Sequence, residues 1–353
     1  MLPRLAVAAA LVLGLAGCSG DGPAEPAPTP TSATPATAEP SGTIALLMPG
    51  PPAMRSEAFD RRSFSEAVAE RCPDCRVVSY DARGDAARQS EQLAGATDAG
   101  ARVLVIDAVE PLTVVNQLSA AQELGVKVVG YDTLLEDLDY YVAYDREQAG
   151  EQQAHALLKA AGGSGDLVML NGSPADAGAV QVKGAAHQVL DASRATVVGE
   201  YDALPDRPKA THTWLSTILT FFPPSTLAGL YAADDALAGT AIHALGGADL
   251  PVTGAGATLA GVRRLVSGRQ LMTVYRPVDP AATTTARIAV AALTGGDPGQ
   301  PTRTLDGVPT YLLDPVPVTL ENLADTVVAD GYWTVEEICT RRLRAACDDA
   351  GLR

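Results

Sequence analysis

From residue 43 onward the chain alternates short β-branched runs with longer stretches of mixed polar and apolar residues. That alternation restricts it to folds in which helices cover a mostly parallel sheet. Runs at 44–48, 77–80, 103–107 and 127–131 predict strands, and the first three precede helix patterns at 57–71, 86–99 and 111–124. After residue 144 the rhythm repeats, with strands predicted at 167–170, 197–201, 229–232 and 252–253 and helices near 177–190, 209–221, 236–245 and 259–267. Two successive sets of βα units imply an α/β chain with two doubly wound domains of similar design. In open parallel sheets a ligand sits beyond the carboxyl ends of the strands. The loops after Met48, Asp107, Tyr131, Leu170, Tyr201, Ala232 and Thr253 are therefore expected to face a common crevice.

Ahead of this body lies a different kind of sequence. A single Arg4 precedes an apolar run from Leu5 to Leu15 that is too short to span a bilayer, and Leu15-Ala16-Gly17-Cys18 closes it. The pattern reads as a secretory signal over 1–17, and with a cysteine at the cut it looks like the lipobox of a bacterial lipoprotein, Cys18 being the residue to be lipidated. An ordinary signal peptide with an incidental cysteine is the alternative. Residues 18–42 are rich in Pro, Ala, Ser and Thr and have almost nothing to bury, so they predict an extended tether of up to about 70 Å at roughly 3.1 Å per residue. Together these segments place the protein on the extracytoplasmic face of a bacterial membrane.

A net charge of −16 argues against nucleic acid as a partner, because phosphate binding needs a surplus of Lys and Arg. Apart from Cys18 the cysteines form two close pairs, Cys72 with Cys75 and Cys339 with Cys347. In an exported chain these predict two local disulfides, although Cys72-Pro-Asp-Cys75 is also the spacing of a redox motif or half a zinc site. His155, His187, His212 and His243 show no ligand spacing, and neither a nucleophile elbow, nor a zinc-protease helix, nor a phosphate loop occurs. Enzymatic activity and a cofactor are not expected.

Carboxylates recur at the strand ends: Asp107, Asp132, Asp145, Asp202, Asp234 and Asp235. Singly, each reads best as a helix N-cap. Together with Arg55, Tyr131, Tyr144 and Tyr231 they offer the acceptors, donors and ring faces that a polyhydroxylated ligand requires. Arg61, Lys183, Arg207 and Arg276 are further cations near the crevice loops, each equally readable as a solvated charge.

Several segments carry a resemblance: Arg55-Ser-Glu-Ala-Phe-Asp60, Gly130-Tyr-Asp132, Asp139-Tyr-Tyr-Val-Ala-Tyr-Asp145, Asn171-Gly-Ser-Pro174, Tyr231-Ala-Ala-Asp-Asp235 and Met272-Thr-Val-Tyr-Arg-Pro277. With the late stretch from Leu323 to Gly331 and the terminal cysteine pair, nearly all of 43–353 resembles the xylose-binding branch of the type 1 periplasmic-binding-protein family, the sugar-binding lipoproteins of ABC importers. The resemblance implies two doubly wound lobes, 43–145 plus 275–305 and 146–274 plus 306–353. They would be joined by hinge crossings near 144–147, 272–277 and 300–312 and would close as a monomer on a sugar or polyol presented to a membrane permease. By position it implies ligand contacts at Arg55 and Asp132, and Asp107, Thr133, Asp145, Lys183, Asp234, Asp235, Gly256 and Tyr275 complete the candidate contacts around the crevice.

The crevice departs from the family pattern where the scaffold does not. Thr133 stands where an arginine is common, Asp234-Asp235 replaces Asn-Asp, Gly256 stands where a carboxylate is expected, and 201–208 lacks the usual tryptophan. Each of the missing guanidinium, carboxylate and ring is worth roughly 1–3 kcal/mol. The expectation is therefore an altered site with weak affinity for xylose. A receptor or signalling protein on the same scaffold is the alternative to transport. Trp214 and Trp333 read as packing residues.

Overall fold

The computed structural model describes residues 41–50, 55–204 and 207–352, with the side chains of 55–59 excepted. The signal segment 1–17, Cys18 and nearly all of the tether lie outside the described residues, as does the side chain of Arg55.

The chain begins with β1 (Gly42–Met48), α1 (Arg55–Arg71), β2 (Cys75–Asp81), α2 (Ala86–Asp98), β3 (Ala101–Ile106), α3 (Pro111–Glu123), β4 (Lys127–Tyr131) and β5 (Tyr140–Tyr144). Residues 44–48 of β1 are buried on both faces, as a central parallel strand requires. One face of the sheet packs Ile44, Leu46 and Met48 against Phe64 and Val68 of α1; the other packs Leu47 against Leu93 of α2 and Leu118 of α3. Helix starts are fixed locally: the Asp85 carboxylate accepts from Arg88 N at the start of α2, and Pro111 opens α3, where its missing N–H costs nothing.

The second series comprises α4 (Arg146–Ala160), β6 (Ser164–Asn171), α5 (Ala177–Asp191), β7 (Arg194–Asp202), α6 (Pro208–Phe221), β8 (Leu227–Ala232), α7 (Asp235–Ala244), α8 (Leu259–Val266) and β9 (Thr273–Tyr275). Strands β7, β6 and β8 form a three-stranded parallel sheet. The strand predicted at 252–253 is a single bridge from Val252 to Leu230, and Ala255 bridges to Val274, so this segment joins β8 to β9. Helices α4 and α5 cover one face through Leu157 and Leu190, and α6 and α7 cover the other through Leu215 and Ala238.

The chain then returns to the first sheet as α9 (Val278–Thr294), whose Ala282, Ala286 and Ile288 pack beside α1. A hairpin follows, β10 (Arg303–Leu305) and β11 (Val308–Leu313), turned by Asp306 and Gly307, both at positive φ. Strand β11 lies parallel to β5, giving a seven-stranded sheet in the order β10-β11-β5-β4-β3-β1-β2. The return to the second sheet therefore falls at 314–315, after the 300–312 window, and residues 306–313 lie with the first sheet rather than the second. Strand β12 (Val316–Val318) pairs antiparallel with β9. Two short helices, α10 (Val335–Ile338) and α11 (Arg344–Asp349), complete a cap over α8. Cys339 is bonded to Cys347 within that cap, and Cys72 to Cys75 between α1 and β2. Trp333 donates Nε1–H to the carbonyl of Ala257 at 2.7 Å, and Trp214 stacks on Tyr201 at 5.2 Å, so both tryptophans serve packing.

Candidate functional site

The carboxyl ends of both sheets open on one cleft of about 940 Å³, bounded by Val109, Glu110 and Tyr144 on the first side and by Ser173, Asp176, Asp234 and Gly256 on the second. Two of its lining residues, Arg146 and Arg276, are cationic and share one carboxylate. Asp132, in the loop after β4, accepts from Arg276 at 2.9 and 3.1 Å and from Arg146 at 3.1 Å. Arg146 opens α4 and Arg276 follows β9, so each guanidinium belongs to a crossing between the sheets. Burial pushes the Asp132 carboxyl up, but the two guanidinium charges outweigh it and hold the group below the usual carboxylate range. The Asp132 carbonyl accepts from the hydroxyl of Tyr141 at 2.8 Å, and burial pushes that phenol up to about 12.

Arg146 also explains a glycine. A Cβ added at Gly178, near the start of α5, would lie 2.6–2.8 Å from the Arg146 side chain. The guanidinium thus lies over the backbone of the second side while it holds a carboxylate of the first.

Three lining aspartates are helix caps. Oδ1 of Asp145 accepts from Gln148 N at 3.0 Å, that of Asp176 from Gly178 N at 2.8 Å and that of Asp234 from Leu237 N at 2.7 Å. The second oxygen of Asp145 pairs with Arg303 at 3.1 Å. The second oxygens of Asp176 and Asp234 take no hydrogen bond among the described residues, and they remain acceptors at the cleft wall.

Other expected ligand contacts are used elsewhere. Asp235 is 2% exposed and is the hub of a buried network: Oδ1 accepts from Gln270 and Thr273, and Oδ2 from the backbone and hydroxyl of Thr258. Burial raises its carboxyl, against the pull of those donors. Its role is to pin 258–273 to α7, which leaves it no lone pair facing the cleft. Thr133 donates to Asp107 at 2.6 Å, and neither is among the residues that border the cleft. Lys183 pairs with Glu200 and Asp202, each at 2.8 Å, and does not border the cleft. Tyr275 is buried and borders a separate cavity of about 430 Å³ with Pro277, Asp325 and Asp330. Gly256 lines the cleft with backbone alone, at φ 109°. Arg61 donates to the carbonyl of Tyr80 at 2.7 Å.

Arg146 and Asp176 line the cleft without figuring among the expected ligand contacts, and both carry a local sequence signal. Arg146 follows directly on Asp145, and Asp176 precedes the helix predicted from 177, the position of an N-cap. Such a cleft offers acceptors, two guanidinium groups and the ring of Tyr144, which suits reversible binding of a polar molecule. Among the described residues, no group of three His, Cys, Asp or Glu side chains is arranged to hold a metal ion.

Residues 51–297 match the family described as the periplasmic binding protein domain. The chain is similar to the D-xylose-binding periplasmic protein of Escherichia coli (strain K12), with 32% identity over 276 residues covering 74% of this chain and 83% of the relative. The D-xylose-binding periplasmic protein of Haemophilus influenzae is similar at 33% identity, covering 74% of this chain and 82% of the relative. Among solved structures, an ABC transporter solute-binding protein from Clostridium phytofermentans with bound β-D-glucose superposes with a TM-score of 0.71 at 21% identity, covering 84% of this chain and 99% of that one.

Proposed function

This chain belongs to the periplasmic binding protein family, and from that premise we propose that it is a lipid-anchored, extracytoplasmic solute-binding protein that delivers a sugar or related polyol to an ABC permease. The observation that carries the reading is the cleft at the carboxyl ends of two sheets, furnished with free carboxylate oxygens and two guanidinium groups, in a chain 32% identical to a D-xylose-binding protein. Binding of this kind needs no chemical conversion, only closure of the two sides on a ligand that contacts both.

The site is altered relative to that relative's sugar. Thr133 supplies a hydroxyl to Asp107 where the family commonly has a guanidinium, Asp234 stands where it has an asparagine, and Gly256 presents no side chain. Calorimetric titration of the mature protein is expected to give weak or no binding of D-xylose and measurable binding of another neutral sugar or polyol. Micromolar affinity for D-xylose would contradict the altered site. Anchoring is tested separately: radiolabelled palmitate is expected to label the wild-type chain and not Cys18→Ser, and equal labelling of both would contradict a lipid on Cys18.

A further inference from the structure

We propose that His212 of α6 and His243 of α7 form a site for a first-row transition-metal ion, Cu²⁺, Ni²⁺ or Zn²⁺, that staples the two helices together. The two histidines are far apart in the sequence, yet the packing of α6 beside α7 brings their rings to 5.6 Å between centroids, inclined by 44°. His212 is half-buried and His243 exposed, so both are open to solvent. Nδ1 of His212 lies 3.4 Å from the hydroxyl of Ser216, one turn further along α6. Nε2 of His212 and both ring nitrogens of His243 take no hydrogen bond among the described residues. His187 is different, because Glu200 at 3.0 Å and Asp191 at 3.7 Å already occupy its ring.

The spacing suits a shared ion. An imidazole nitrogen binds zinc at about 2.0–2.1 Å, which puts the ring centre about 3.2 Å from the metal. Two centres 5.6 Å apart then subtend about 120° at the ion, close to the tetrahedral angle. The terminal torsion of a histidine is broad, so small ring rotations aim the free nitrogens at one point. With its proton on Nδ1 and donated to Ser216, His212 presents the Nε2 lone pair, the arrangement that an outer hydrogen-bond partner gives to metal-bound imidazoles. Water fills the remaining coordination positions, so the ion exchanges and binds at micromolar rather than nanomolar strength. Imidazole ligands favour Cu²⁺ over Ni²⁺ and Zn²⁺ and leave Mg²⁺ and Ca²⁺, which take oxygen ligands, unbound. Thr211, next to His212, and Thr240, one turn before His243, border the cleft, so the ion joins the two helices behind the cleft wall.

The test is calorimetric titration of the untagged mature protein with CuSO₄, NiCl₂, ZnCl₂ and MgCl₂, with melting temperatures measured alongside. Wild type is expected to bind one Zn²⁺ or Ni²⁺ with micromolar affinity and Mg²⁺ not at all, and its melting temperature should rise with metal and return with EDTA. His212→Asn and His243→Asn should each lose about tenfold or more in Zn²⁺ and Ni²⁺ affinity, because one imidazole cannot chelate. Their metal-free melting temperatures should match wild type, and His155→Asn should bind as wild type does. Zn²⁺ and Ni²⁺ binding no tighter than millimolar would overturn the site. So would a loss confined to one of the two histidine variants, since an ion held by a single ring or elsewhere bridges nothing. The sugar-binding reading stands or falls separately from these results.

Discussion

Asp132 has a backbone φ of 59°, a region that disfavours most side chains but which Asp and Asn tolerate best. Asn at this position therefore keeps the backbone and removes the charge that Arg146 and Arg276 share. Because the folded carboxyl sits below its ordinary value, its contribution to stability is present above the unfolded pKa and is lost as pH falls through the folded one. The three side chains are 28–47% exposed, so solvent screening limits the loss in Asp132→Asn to about 1 kcal/mol at pH 7. In urea titrations the gap between wild type and variant is expected to close as pH falls below the ordinary carboxylate range; a gap that widens on acidification would contradict the assignment. Asp234 and Asp235 show where residue-level reading stops. They are adjacent and chemically identical, yet one caps α7 and the other is buried under donors from residues 258, 270 and 273. The cap was legible from the helix start, whereas the buried network depends on segments more than twenty residues away. Asp235→Ala would leave those donors unpaired, and a loss of about 3 kcal/mol or more is expected by thermal or urea denaturation.

Helices α4 and α5 meet where Arg146 lies over Gly178. Gly178→Ala is expected to displace the guanidinium and cost roughly 1–2 kcal/mol, and the same change in an Arg146→Ala background should cost nearly nothing. A double-mutant cycle measures the coupling, and strict additivity would contradict it. Strands β1, β3 and β4 and helices α2 and α3 were legible because β-branched runs and capped amphipathic patterns state them locally. Helix α9 was harder. Pro280 and the consecutive Thr283, Thr284 and Thr285 weaken its intrinsic propensity, and its burial against α1 decides the outcome. The family resemblance implies a hinge crossing over 300–312, where β11 lies instead, although Asp306-Gly307 is itself a hairpin signal and Tyr311 is buried beside β5. The pairing that makes β11 an edge-side strand is a contact across some 170 residues of sequence, between Tyr141–Tyr144 and Thr310–Leu313, and no local pattern reports it.

Across the whole molecule the chain passes between the sheets at residue 145, near 276 and at 314–315, and two of these passages carry the arginines that clasp Asp132. The crevice and its position at the strand ends followed from the alternation of strands and helices. The identity of its working groups did not, because capping and burial consume several aspartates that the pattern presents as equivalent. A sugar that touches both walls would favour the closed arrangement and raise stability by RT ln(1 + [L]/Kd). The direct measurement is the melting temperature of the mature protein against a panel of pentoses, hexoses, polyols, disaccharides and amino acids at increasing concentration. The account predicts that at least one sugar or polyol raises it in a concentration-dependent way while D-xylose raises it little. Sugars and polyols leaving it unchanged, with a rise only for amino acids, would contradict it.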